Sequence, residues 1–287
     1  MSNLFEDLKY KVFKSGNPVF FYIGINVLIF LVIALAGIPF FLSGSGDGNF
    51  NMLVREYAGF PATLSKLPFR FYTILTYQFV HDGLMHVLFN MLWLYWLGNI
   101  FLDFLKPRQF HFVYLSGGFA GAIIYALAYN VFPVFADSIS SATIVGASAS
   151  VMAIIVATAT LLPDYSMRLL LLGDVKLKYL AAAYIALDLI GIGTVGAGGS
   201  FSHLGGAIMG FTYIKMLQNG KDWSNLFKRK PKLRVVRNDN KNTATSKNAT
   251  VGVNQGEIDA ILDKISRTGY DKLTKEEKET LFKASKH

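Results

Sequence analysis

Residues 81–99 read HDGLMHVLFNMLWLYWLGN, an apolar run of helix length with His81, His86 and Asn90 near its leading edge. A side chain that is costly to place in hydrocarbon marks function by default. Two distant stretches share this character, Gly146-Ala147-Ser148-Ala149-Ser150 and Ser202-His203-Leu204-Gly205-Gly206. Each sets polar, chemically capable groups at the edge of a long apolar run.

Outward from these stretches, the composition points to a membrane protein with a soluble tail. Of 287 residues 52% are hydrophobic, and the mean hydropathy is +0.37. The charged residues, 16% of the chain, are sparse before about Lys215 and dense after it. With no cysteine, disulfides, thiolate nucleophiles and Cys-ligated zinc are excluded. The net charge of +9 does not require nucleic acid, because much of it lies between Lys221 and Arg237, where a basic segment beside a membrane helix faces anionic lipid.

Six apolar runs, 19–42, 84–105, 110–132, 145–162, 177–195 and 201–217, predict six transmembrane helices. The first is too long for a signal-peptide core and reads as a retained span. Lys106, Arg108, Arg168, Lys176, Lys178 and the basic tail fall on alternate connections, which predicts both termini on the cytoplasmic side. Arg55, Lys66 and Arg70 in the long first outer loop are the exception. The expected architecture is an all-α membrane protein. It comprises a cytoplasmic segment 1–18, a six-helix membrane domain 19–217, a basic flexible linker 218–256 and a cytoplasmic helical hairpin 257–287. Ile258, Ile261, Leu262 and Ile265 repeat at helical spacing, and Thr274-Lys275-Glu276-Glu277 predicts a capping box opening the second hairpin helix. The hairpin reads as a docking or stability appendage.

This orientation brings Ser148, His203, His86 and Asn90 to similar depth, a few residues below the outer surface. A serine hydroxyl needs a base, and neutral imidazole suits that role. Gly146 and Ala147 leave the backbone around Ser148 open to a substrate carbonyl. A helix N-terminus there adds amide donors for an oxyanion. His203 is the candidate base. Gly206 and Gly210 form a GxxxG that permits close approach of another helix, here the one carrying Ser148. His86 and Asn90, four apart, share a helix face and can donate to a developing negative oxygen. His81 and His86 lie roughly 140° apart around a helix, so no metal site is expected. Ser148 and Ser150 each also read as packing serines, and His86 with Asn90 also reads as an interhelical hydrogen-bond network.

His81-x4-His86-x3-Asn90 on the second span, Gly146-x-Ser148 on the fourth and His203 with GxxxG on the sixth resemble the rhomboid intramembrane serine proteases. The resemblance covers about residues 19–217. It implies a six-helix rhomboid bundle, a Ser148–His203 catalytic dyad and an oxyanion site from His86, Asn90 and the amides near Ala147 and Ser148, with His81, Gly146, Gly206 and Gly210 in support. It implies no cofactor. The loop 43–80 is similar to the family's first loop, and Phe69-Arg70 to an aromatic-Arg signature there. Two positions depart from the pattern: Ala149 stands where many members have Gly, and Met152 where many carry an aromatic that packs on the histidine. Asp188 in the fifth span could orient His203, but the implied dyad leaves it a structural hydrogen bond. Trp93, Tyr95 and Trp96 read as lipid-facing packing.

The function expected is an endopeptidase that cleaves single-pass transmembrane proteins near the outer face of the bilayer, with no nucleic-acid partner. The glycine-rich stretch 191–199 is a mobile gate for substrate entry or a plain loop. Topology points to a bacterial inner membrane. A catalytically silent rhomboid-like protein that binds client transmembrane helices is the alternative. A small transporter would need a continuous polar line to the inner side, which the polar residues do not make.

Overall fold

The computed structural model describes residues 4–44, 47–169, 173–193, 196–226 and 255–285. The chain divides into two compact units, Met1–Lys230 and Pro231–His287. Most of the expected linker, residues 227–254, lies outside the described residues.

The first unit is mostly helical. Helix α1 (Leu4–Phe13) precedes α2 (Pro18–Leu42), where Asn17 Oδ1 accepts from the Val19 N–H at 2.9 Å and Pro18 fills the first turn. Helix α2 leaves Leu28, Leu31, Val32 and Leu35 exposed, an apolar surface suited to hydrocarbon rather than water. It is tied inward by the buried Asn26, whose amide donates to the Tyr22 carbonyl and the Tyr114 hydroxyl.

The loop that follows is more ordered than its sequence suggests. It holds α3 (Asp47–Ala58), strand β1 (Phe60–Pro61), the short α4 (Thr73–Thr76) and two 3₁₀ turns. The three cations that broke the charge rule are paired. Arg70 and Lys66 meet Glu56 at 2.7 and 3.4 Å, and Arg55 meets Asp82. Helices α5 (Leu84–Phe104) and α6 (Pro107–Val131) come next, then strand β2 (Thr143–Ile144), antiparallel to β1 with Phe60 opposite Ile144. Helix α7 (Ser148–Leu161) leads into the antiparallel hairpin β3 (Ser166–Leu169) and β4 (Gly173–Lys176), then α8 (Leu177–Gly191) and α9 (Ala197–Gln218). The all-α expectation thus gains two small strand pairs.

Helices α2, α5 and α6 are long and apolar enough to cross a membrane by length and composition. Helix α7 is apolar but has only 14 residues, every one from Ala149 to Ala159 buried. A helix enclosed by protein has no lipid to match, so its length is free of the bilayer's thickness. Residues 219–226, expected at the head of the linker, instead carry a 3₁₀ turn at Trp223–Asn225. Asp222 holds it by accepting from Ser224, Tyr213, Gln109 and Arg108.

Missing side chains decide how α6, α7 and α9 meet. A methyl at Gly206 or Gly210 would lie 2.1 or 2.2 Å from the carbonyl oxygens of Ala149 and Ala153 on α7. Gly117 and Gly121 of α6 face the Ala153 and Ala149 methyls in the same way, at 2.3 and 2.6 Å. The expected partner of the GxxxG is the helix observed. Ala149 sits in ordinary helical backbone with its methyl accommodated by Gly121, so alanine at this position imposes no strain.

The second unit contains α10 (Gln255–Thr268) and α11 (Lys275–Ala284). Gly269, at φ +84°, ends α10, and Thr274 with Glu277 forms the capping box of α11. Lys264 reaches Glu277 at 2.7 Å, while Ile261 and Leu273 are buried.

Substituting Gly210→Ala must push α9 off α7. Thermal unfolding in detergent is expected to show a loss of roughly 1–3 kcal/mol. Gly193→Ala, whose new methyl would find its nearest neighbour at 3.8 Å, should change little. Equal effects of the two would show that the α7–α9 contact is slack.

Candidate active site

The chain turns into α7 through Gly146, at φ +126°. Besides straining the backbone, a side chain there would collide with the His86 ring, whose Cε1 and Nε2 both lie 2.8 Å from the Cβ position. Ser148 Oγ is 3.6 Å from the same point, so His86, Gly146 and the serine hydroxyl converge. Ser148 is the first residue of α7, and Ala147 is its cap. The first-turn amides of a helix have no acceptor within it and stay available to a ligand.

Two cavities flank this point. One, of about 430 Å³, is bordered by Tyr77, Tyr125, Gly146, Gly198 and Ser202. The other, of about 270 Å³, is bordered by Met85, Asn90, Trp93, Val151 and Tyr184. Ser148, His86 and His203 line both. The three separate stretches singled out by sequence therefore meet at one place.

The hydrogen bonds assign each group a part. His203 Nδ1 lies 2.7 Å from Asp188 Oδ1, which leaves Nε2 as the nitrogen free for other work. The Asp82 N–H faces His86 Nδ1 at 3.5 Å, an arrangement that places the His86 proton on Nε2. Asn90 donates one amide hydrogen to the His86 carbonyl at 2.8 Å and retains a second. Ser150 is a packing serine. Its hydroxyl donates to Gln78 Oε1 at 3.0 Å, and it borders neither cavity.

One sequence expectation needs correction. The Ala147 N–H, expected as an oxyanion donor, instead donates to His81 Nε2 at 3.4 Å. His81 is 6% exposed and supports the α7 entrance from behind. Gly206 and Gly210 likewise act behind the site, by seating α9 on α7. One further feature escaped the sequence reading. Tyr184 presents its ring to His203 (centroids 6.3 Å apart, planes at 67°) where an aromatic from α7 was the pattern, and Met152 is buried in the core. Trp93 packs edge-on against Tyr184 and borders the second cavity, while Tyr95 and Trp96 are exposed. The four-residue spacing of Tyr184 and Asp188 was the available signal, since it sets both on one face of α8. Gly196, Gly198 and Gly199 of the glycine-rich stretch border the larger cavity; residues 194–195 lie outside the described residues.

Burial, and then the neighbouring His86, push His81 down from 6.5 to about 4. The unfolded chain therefore takes up a proton first as pH falls. The contribution of His81 is complete above about pH 6.5 and is lost between there and about pH 4, by up to roughly 3 kcal/mol. His81→Gln keeps an acceptor for Ala147 without a titrating ring. Its thermal midpoint in detergent should fall less steeply over this range than that of the unsubstituted protein. Parallel curves would exclude His81 as the titrating group.

The rhomboid domain model matches residues 68–219, just over half of the chain, and a family of unknown function (DUF6576) matches residues 248–287. Presenilin-associated rhomboid-like protein A, mitochondrial, of Danio rerio is 29% identical over 169 residues. That stretch covers 56% of this chain and 40% of the zebrafish protein, and leaves most of the relative unmatched. The domain match runs from the loop before His81 to the end of α9 and encloses every residue of the two cavities' shared wall: the chain belongs to the rhomboid family.

Proposed function

We propose that this protein is an intramembrane serine endopeptidase. The observation that carries the reading is the meeting of Ser148, His86 and His203 between two cavities, with His203 Nδ1 held at 2.7 Å so that Nε2 is the free nitrogen. Ser148 Oγ attacks the scissile carbonyl while His203 Nε2 takes its proton. The oxyanion is met by the His86 Nε2–H, the remaining Asn90 amide hydrogen and the Ser148 N–H at the positive end of α7. His203 returns the proton to the leaving amine, and water entering through the larger cavity clears the acyl-enzyme.

In this reading α2, α5, α6, α7, α8 and α9 are the six spans, and both termini are cytoplasmic. The Lys and Arg distribution supports that orientation, with the site near the outer face. A bacterial inner membrane as the setting is part of the same proposal. The zebrafish relative's name places that protein in the mitochondrion. The substrates are single-pass transmembrane proteins. A helix in lipid hides its carbonyls in its own hydrogen bonds, so cleavage favours segments that end or break near the interface. The smaller cavity, between α5 and α8, gives such a segment a sideways approach. A silent client-binding role has no use for a serine and a histidine set on one wall, which favours the protease.

The test is labelling of the purified protein in detergent with a fluorophosphonate probe, beside Ser148→Ala and His203→Ala. Labelling is expected to vanish in both variants and to fall on the order of 10²-fold in His86→Ala. Labelling that survives Ser148→Ala would refute the assignment.

A further inference from the structure

Helix α8 is thinly packed, with Leu177, Ala181 and Asp188 its buried residues. Ala181, Tyr184 and Asp188 recur at spacings of three and four and so form one stripe along it. The C-terminal part of that stripe meets the His203 ring. Asp188 holds Nδ1 from one side, and Tyr184 stands edge-on to the ring from another. Beyond them, Gly191 leaves room for Ser200 of α9, whose hydroxyl lies 2.5 Å from where a methyl would sit.

Asp188 is 7% exposed, and its second oxygen, Oδ2, has no hydrogen-bond partner among the described residues. Its ion-pair partner among the described residues is His203. This is an expensive way to staple two helices. A buried carboxylate costs far more than a neutral amide unless a cation meets it. An asparagine would make the same single bond to Nδ1 without that cost. The carboxylate's charge is compensated when His203 carries a second proton, which happens as the ring takes the hydrogen of Ser148. A group costly at rest and matched in the transition state contributes to rate rather than to substrate affinity.

We infer that Asp188 is a positioning residue for His203, fixing its tautomer and stabilising the imidazolium, so that the site works as Ser148–His203–Asp188 in place of the dyad that the family resemblance implies. Tyr184 is the second wall that keeps the ring in that plane. This rests on the protease reading above. Acid and base therefore come from neighbouring helices, α8 and α9, and the nucleophile from α7.

The experiment compares the unsubstituted protein with Asp188→Asn under saturating fluorophosphonate probe, resolving kinact from KI. It adds thermal midpoints and a proton spectrum of protein carrying ¹⁵N-histidine. The expected result is a fall in kinact on the order of 10²-fold, with KI and the midpoint unchanged. A strongly downfield Nδ1–H proton should be present in the unsubstituted protein and absent from both Asp188→Asn and His203→Ala. Labelling of Asp188→Asn at the original rate would overturn the inference and leave the protease reading standing. A loss of kinact that tracks a fall in the midpoint would reduce Asp188 to a structural staple and overturn it too. Failure of the unsubstituted protein to label, with the downfield proton present, would overturn the protease reading and this inference together, while leaving the hydrogen bond itself established.

Discussion

The close approach of α9 to α7 is the contact on which the rest of the structure depends. At Gly206 and Gly210 the space that a methyl would need is taken by the carbonyl oxygens of Ala149 and Ala153. Between helices in lipid there is little hydrophobic drive to associate, so packing at this range is the main source of attraction. The same contact has a chemical consequence. Ala149 follows Ser148, and Gly206 lies three residues beyond His203, so fixing one pair of backbones fixes Ser148 relative to His203. Gly117 and Gly121 press α6 onto the other side of α7 in the same manner. The result is a helix buried from Ala149 to Ala159, short because nothing obliges it to match a bilayer, with Ser148 at its start opening on two cavities.

Much of this was legible in the sequence, for a physical reason. Polar groups are so costly in hydrocarbon that those retained there stand out, and His86, Asn90, Ser148, Asp188 and His203 all surfaced this way. The GxxxG announced a close helix contact, and depth along the spans selected α7 as the partner. What stayed hidden depends on three-dimensional pairing that no spacing encodes. The Ala147 amide looked free because its neighbours are small, but it is committed to His81, a residue 66 positions earlier. Tyr184 looked like one more aromatic in an apolar run, because its meaning depends on which face of α8 turns toward α9. The loop between α2 and α5 read as irregular because its order comes from ion pairs and from a two-residue strand whose partner lies more than 80 positions on.

That loop is not peripheral to the chemistry. Arg55 of α3 pairs with Asp82 and donates to the Thr143 carbonyl, joining the loop, the lead-in to α5 and β2 at one side chain. Asp82 in turn offers its backbone N–H to His86 Nδ1. A neutral imidazole that accepts at Nδ1 must carry its proton on Nε2, which with Cε1 lies against Gly146. The proton on His86 Nε2 is therefore set by a chain of contacts beginning at a surface cation. A charge in the loop between α2 and α5, an anomaly against the expected orientation, is accounted for by this local duty.

The two histidines at the site are thereby held in opposite senses by the same device. His86 accepts at Nδ1 and presents a proton; His203 donates at Nδ1 to a carboxylate and presents a lone pair. The difference lies entirely in what stands behind each ring, a backbone amide in one case and Asp188 in the other. One residue type can thus present both a donor and an acceptor within a single cavity wall, because the hydrogen bond at the far nitrogen selects the tautomer. A neutral donor behind His203 would give the site two rings of the same kind and no ring nitrogen free to accept. The carboxylate is what makes them different.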